Sequence, residues 1–313
     1  MSFKERLQRI NEKYGTIFIL ILMGTITTIL YPGFLSSTNL TNLIRQISII
    51  AIIAFGSTFV IISGGIDLSP GSVVGLTSVV VASLAHPGMY PVIVPILAGI
   101  IVGSLAGLIN GVIITKTRIP PFIATLGMMI TARGMALIYS KGNPIGNFSK
   151  EFEFIGGGEL FGIPVPILIL IGLFILSHIL LNNTIFGLYT YAIGSNEQAA
   201  IVSGINVNRQ KVLIYMYAGL MAGIAAIVLT SRIISGQPLA GVGFELDAIA
   251  ATVIGGTSLS GGIGTIPGTL IGALIMGTLN NAMDILGVSP YWQQVFKGVI
   301  IVCAVVLDQR RKK

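Results

Sequence analysis

Residues Tyr191–Lys211 read YAIGSNEQAAIVSGINVNRQK, unlike anything on either side of them. Apolar Val165–Leu181 runs before them and Val212–Ile227 after, each long enough for a membrane helix. Glu197–Val202 (EQAAIV) are good helix formers, opened by Ser195-Asn196 as N-cap and closed by Gly204 as C-cap. The pattern predicts a two-turn helix, 195–204 with its caps, lying outside the membrane and held between two spans. Arg209 and Lys211 follow its end, and basic residues beside a membrane helix favour the cytoplasmic side. An ordinary polar loop is the competing reading, although short loops rarely carry a capped helix.

Composition sets the class. Hydrophobic residues make up 53% of the 313-residue chain and charged residues 9%, against about a quarter in soluble domains. With a mean hydropathy of +0.92, the reading is a single all-α polytopic membrane domain over 1–313, with the lipid bilayer as its surroundings. The net charge of +7 raises nucleic acid as a partner. No aromatic-plus-basic face supports it, and the basic residues fall where membrane topology puts them, so no nucleic-acid role is expected. The lone Cys303 lies in the last apolar run, which excludes a disulfide framework or a cysteine metal site. His86 and His178 are too few and too far apart in sequence to suggest a metal site.

Apolar segments fall at 16–31, 44–63, 70–85, 92–115, 121–140, 164–182, 211–231, 245–258, 265–286 and 291–307, which makes ten. Segments 70–85 and 245–258 are short against the roughly 20 residues a bilayer asks, and glycine-rich turns flank both, so they read as broken or re-entrant. A signal peptide is the rival reading of the first segment. Pro32-Gly33-Phe34 follows it rather than a small-residue cleavage site, which favours a span.

Ten crossings place both termini inside. Residues 1–14 then form a cytoplasmic N-terminus, 15–140 a first repeat, 141–163 an extracytoplasmic loop, 164–308 a second repeat and 309–313 a cytoplasmic tail. Twelve of the 18 Lys and Arg residues fall inside, and Arg45, Arg133, Lys141, Lys150, Arg232 and Lys297 outside or embedded. Glu151, Glu153 and Glu159 mark Lys141–Pro164 as external.

The two halves echo each other. Asp67–Ser78 aligns without gaps to Asp247–Ser258, and Gly107, Asn110 and Pro120 align with Gly277, Asn280 and Pro290. With five crossings between the copies they are inverted, an architecture of transporters in which the pathway runs at the repeat interface. Chance likeness of glycine-rich apolar segments is the alternative. Gly103, Gly107 and Gly111 recur every four residues on one helix face, and Gly268, Gly272, Ala273 and Gly277 make a later stripe. Such stripes let helix backbones approach closely.

Asp67, Glu245, Asp247 and Asp284 lie at or near span ends, where ionisable groups are functional candidates. A proton relay would use them. Capping is the simpler role: Asp67 precedes Leu68-Ser69-Pro70, and Asp247 falls in a first helical turn. Asp284 has no such role, and Arg133, alone in an otherwise uncharged span, has no assigned partner. No GxxxxGK[ST], HExxH or GxSxG motif is present, and Gly255–Gly264 (GGTSLSGGIG) lacks the lysine of a phosphate loop. It reads as a flexible turn, and the chain is not expected to be an enzyme.

Three blocks, taken together, carry a resemblance. Gly64-Gly65-Ile66-Asp67-Leu68-Ser69 with Gly71-Ser72, then Pro121–Gly127 (PFIATLG), then Gly255–Gly262 (GGTSLSGG) resemble the permease subunits of ribose-type sugar ABC importers, in the same order. The likeness runs from about residue 30 to 308. Gly194–Val207 is similar to the EAA-type loop of import permeases, with Glu197, Ala199-Ala200 and Gly204 in matching places and Gln198 between acid and alanines.

The resemblance implies a coupling helix that docks on a separate cytoplasmic ABC ATPase through Gly194, Asn196, Glu197, Ala199, Ala200, Ser203 and Gly204. It implies gating turns at Gly64, Gly65, Asp67, Gly261 and Gly262, and Asn110 and Asn280 are candidates for polar groups near the pathway. No cofactor belongs to this chain, ATP and magnesium being used by the ATPase. A second copy of the chain and an extracytoplasmic sugar-binding protein complete the complex in a bacterial inner membrane. Loop 141–164 and turn 235–244 then face the binding protein. A branched-chain amino acid ABC permease and a proton-coupled secondary transporter are the alternatives.

Overall fold

A computed structural model describes the backbone of residues 3–310 and the side chains of residues 15–303 and 306. Residues 1, 2 and 311–313 lie outside it, as do the side chains of Lys4, Arg6, Arg9, Lys13 and Arg310, all expected on the inner side.

Helices dominate the described residues. The first half holds α1 (Phe3–Leu30), α2 (Ser37–Ile62), α3 (Pro70–Leu84), α4 (Ile93–Thr117) and α5 (Pro121–Ser140). A middle group follows: α6 (Lys150–Gly157), α7 (Val165–Asn182), α8 (Ile185–Ser195) and α9 (Glu197–Val202). The second half holds α10 (Val207–Ile233), α11 (Phe244–Ile254), α12 (Ile266–Ile285) and α13 (Pro290–Arg310). Each of the ten apolar segments is a helix. Helices α2, α4, α5, α7 and α10 are long and apolar enough to cross a bilayer, and the apolar stretches Gly15–Leu30 and Pro70–Leu84 are shorter. This is a multi-pass membrane protein.

Lys141–Pro164, expected as a loop, is ordered. Ser149 caps α6, and β1 (Glu159–Leu160) pairs with β2 (Ile163–Pro164) across Phe161 and Gly162, both at positive φ. Ser231 Oγ accepts from Gly156 N at 2.6 Å and donates to Phe152 O at 2.6 Å, which fastens α6 over the end of α10.

Helices α2 and α10 form the centre and run antiparallel. The start of α2 and the end of α10 lie at the α6 end of the molecule, the other two termini at the α9 end. On α10 the packing partner is α4. A side chain at Gly103 would overlap Gly219 O, at Gly107 Tyr215 O, and at Gly111 the Val212 backbone. The glycine stripe therefore lets two backbones touch, where dispersion and packing substitute for a hydrophobic drive that lipid does not supply. In the second half, Gly268 meets Gly255 O and Gly272 meets Ala251 O, joining α12 to α11, while Gly277 faces Ile47 on α2.

Partners exchange symmetrically between the halves. Helix α4 packs on α10 and α3 as α12 packs on α2 and α11; α3 packs on α10 and α5 as α11 packs on α2 and α13. Asn110 and Asn280 occupy matching helices, and Pro120 and Pro290 stand at the starts of α5 and α13. The register over Asp67–Ser78 is different from the one the sequence suggests. Asp67 lies in the link before α3, whereas Asp247 lies inside the first turn of α11, so these two are not equivalent positions.

Both short segments are broken. Link 63–69 rises from the α9 end into the interior before α3 begins, and 235–243 descends from the α6 end before α11 begins. Gly236 lies against Ser78 and Ala82, while Gly241 lies against Gly71, eleven residues of α3 away, about 16 Å along the helix. Stretch 235–243 thus runs along α3 to its first turn, directly after link 63–69.

Gly107→Leu is expected to force α4 off α10 at a cost of about 1–3 kcal/mol, lowering the melting temperature of the purified protein in detergent by several degrees. Gly172→Leu, on α7 with open space around it, is the control and should melt as the parent does.

Candidate functional site

Four helix ends and one glycine turn converge at the α9 end. Thr184 caps α8 and Asn196 caps α9, its side chain accepting from Ala199 N at 2.9 Å. Ser195 is the last residue of α8 rather than a cap. Gly204, just past the C-cap Ser203, has φ +82°, the left-handed value that ends a helix sharply and favours glycine. Asn206 then caps α10, whose first turn contains Arg209 and whose second contains Lys211.

Helix α8 is the element missed in the sequence. It inserts a rigid piece between α7 and α9, so α9 is not hung on loops. Gln210 Nε2 donates to Phe186 O at 2.7 Å and to Thr190 Oγ1 at 3.1 Å, tying α10 to α8. Lys211 Nζ meets both Glu197 oxygens at 2.8 Å, tying α10 to α9. That pair is partly exposed and worth under about 1 kcal/mol, so it positions more than it stabilises.

Gly194 is held hardest. A Cβ there would overlap Ile62 O at the end of α2 and crowd Gly262 N. Gly262 N itself donates to Ile62 O at 2.8 Å, and Tyr191 OH donates to Gly264 O at 2.6 Å. Burial raises the Tyr191 phenol above its ordinary value, which keeps it a donor. The turn 255–264 is therefore clamped against α2 and α8, not the flexible connector the sequence suggests. A cleft of about 340 Å³ opens beside it, lined by Gly64, Gly65, Gly194, Glu197, Lys211 and Tyr215 among others.

Of the predicted helix residues, Asn196, Glu197, Ala199, Ser203 and Gly204 are exposed, and Ala200 turns inward against Ile193 and Val207. Ile201 and Val202, 49% and 88% exposed, stand on the outer surface instead. Sequence reasoning passed them over because apolar residues in a hydrophobic chain carry no signal of their own.

Asp67 does not cap α3. Its Oδ1 accepts from Ser69 N at 2.8 Å and Ser69 Oγ at 2.6 Å, a local turn that orders the link, and Asn110 Nδ2 donates to Ser69 Oγ at 2.9 Å. Arg133, unassigned in the sequence, donates to the carbonyls of Pro238, Ala240 and Gly71, with Glu245 close by. One cation thus satisfies the irregular backbone of 235–243 and ties it to the first turn of α3, as non-helical chain inside a membrane requires. Asn280 does not join Asn110. It lies at the α6 end in a cavity with Asp247, Asp284 and Lys297, as an inverted repeat demands of its partner.

The acids do not form a relay. Asp67 is engaged with Ser69, Asp247 with Lys297 at 2.8 Å, and Asp284 with Gln293 at 2.8 Å. Among the described residues no cluster of His, Cys, Asp or Glu suits a metal ion.

Residues 39–305 match the family described as branched-chain amino acid transport system / permease component. The chain belongs to that family. It is 51% identical over 304 residues to the ribose import permease protein RbsC of Bacillus subtilis (strain 168), covering 96% of this chain and 94% of that one. It is 44% identical to the ribose import permease protein RbsC of Escherichia coli (strain K12), over 96% and 94% of the two chains. Against the L-arabinose transport system permease protein AraH of the same organism the identity is 40%, over 97% and 93%. No solved structure matches.

Gly194→Val is expected to lift α8 from Ile62 and the glycine turn. Hydrogen exchange should then quicken at least tenfold at the amides of α9 and of 261–264, with α4 unchanged. Arg133→Met, which strands the Pro238 and Ala240 carbonyls at about 1–3 kcal/mol each, is expected to lower the melting temperature by at least about 5 °C.

Proposed function

We propose that this chain is the membrane-spanning subunit of an ATP-driven, binding-protein-dependent importer of a monosaccharide such as ribose. The 51% identity over nearly the full length of both chains to a ribose import permease carries the reading. The family's description names branched-chain amino acids, but ribose and arabinose give the close relatives their names, which favours a sugar.

In this reading the α9 end is cytoplasmic, in keeping with Lys116, Arg118, Arg209 and Lys211 gathered there, and the α6 end faces outward. Ten crossings then return both termini to the cytoplasm, in a bacterial inner membrane. Helix α9 is the coupling helix. Its exposed face of Glu197, Ala199, Ile201 and Val202 seats in a groove of a separate ATPase, which binds ATP and magnesium; this chain holds no cofactor. Its bracing to α2, α8, α10 and the turn 255–264 carries a rigid displacement from the ATPase into the spans, with Gly64, Gly65, Gly261 and Gly262 shaping the turns that move. Two copies of the chain enclose the pathway, and a sugar-binding protein docks on α6 and the β1–β2 hairpin.

The test is uptake of labelled ribose into liposomes holding this chain with its ATPase and binding protein. Accumulation that needs all three and internal ATP is the expected result. Uptake of leucine instead would move the chain to the amino acid reading, and uptake by this chain alone, collapsing with a proton gradient, would replace both. Gly204→Val, strained at a left-handed position, should insert normally yet hydrolyse ATP with its partner while losing most uptake. Normal uptake by that variant would sink the coupling assignment.

A further inference from the structure

A cavity of about 530 Å³ opens at the α6 end between α2, α10, α11, α12 and α13, within the range of about 300–1,000 Å³ that small-ligand sites occupy. Its polar groups are unusual for a site among membrane helices. Lys297 pairs with Asp247 at 2.8 Å, and the Asp247 side chain is only 4% exposed. Burying such a pair is costly unless the remaining lone pairs are also satisfied. The Asn280 side chain also engages Asp247, yet neither Asp247 Oδ1 nor Asn280 Oδ1, in residues 3% and 7% exposed, has a close hydrogen-bond partner among the described residues. Two buried acceptors on the cavity wall are left open.

The charges there balance. Asp247 and Asp284 face Lys297 and Arg232, so the cavity favours neither an anion nor a cation. Gln293, which donates to Asp284 at 2.8 Å, adds an amide at the rim, and Phe244 gives one wall an apolar surface. Open acceptors beside charged donors, with one apolar wall and no net charge, suit a small neutral molecule that carries many hydroxyl groups and a C–H face. Each hydroxyl both donates and accepts, so one ligand can satisfy Asp247 Oδ1 and Asn280 Oδ1 while accepting from Lys297 or Gln293.

We propose that this cavity is a monosaccharide-binding site of the permease itself, open to the outer side and occupied before the sugar passes inward. It rests on the importer reading, since it supplies the place where that substrate first meets this chain. Asn280, aligned with Asn110 across the repeat, lines this cavity, whereas Asn110 lies outside it with its Nδ2 on Ser69 Oγ.

Saturation-transfer NMR on the full-length chain in nanodiscs, with D-ribose as probe, tests the site without the transport cycle. Asn280→Leu removes the buried acceptor. Gln293→Leu alters the rim and leaves the core untouched, so it guards against a folding defect. Transfer to ribose protons in the parent protein, reduced tenfold or more in both variants and unchanged in Lys150→Met on α6, is the expected result. Equal transfer in the parent and both variants, or none in the parent, overturns the site. If the parent binds ribose and both variants lose it, yet the complete complex with ATPase and binding protein never accumulates ribose, the site stands and the importer reading falls.

Discussion

Irregular backbone inside a membrane has to find hydrogen-bond partners within the protein, and this fold depends on how that demand is met. The links before α3 and α11 enter the interior from opposite ends. On one side Asp67 turns the chain through Ser69, and Asn110 secures that turn. On the other, Arg133 reaches from α5 to two carbonyls of the link before α11 and to Gly71 O in the first turn of α3. A half-buried guanidinium among membrane helices is expensive alone. With carbonyl acceptors and Glu245 nearby it becomes the tie that lets both helices start at mid-depth.

The second constraint is closeness. Lipid gives helices no hydrophobic reason to associate, so the contact surface has to be made of shape. At α4–α10 and α11–α12 the side chains have been removed and carbonyl oxygens lie where a Cβ would be. The same device recurs at Gly194 and Gly262, where it fixes α9 relative to α2. Packing between spans and the placement of the candidate coupling helix thus use one chemical solution.

Much of this was legible because hydropathy and caps are local. The ten apolar segments, Asn196 as cap, Gly204 as terminator and the Gly103–Gly111 stripe each depend on residues within a turn or two. What was hidden depends on distance. Arg133 had no visible partner because its acceptors are backbone carbonyls, which no residue type announces. Lys297 and Asp247 are fifty positions apart, and only the packing of α13 on α11 joins them. Helix α8 was concealed by apolar composition that reads equally as the edge of a span. Ala200 pointed inward for a reason of phase: a six-residue helix is too short for periodicity to say which face is buried.

Helix α2 connects the two ends that function has been assigned to. Its Gln46 borders the cavity at the α6 end, and its Ile62 carbonyl receives Gly262 and presses on Gly194. Sixteen residues of continuous helix separate these points, about 24 Å. The helix is buried along nearly all of that length, so it transmits motion as a stiff lever without bending. A tilt of about 5° would move one end by about 2 Å relative to the other. That is enough to make or break a hydrogen bond with a hydroxyl group, so in the proposed importer a push at the α9 end would loosen a sugar's hold at the far one with no rearrangement in between.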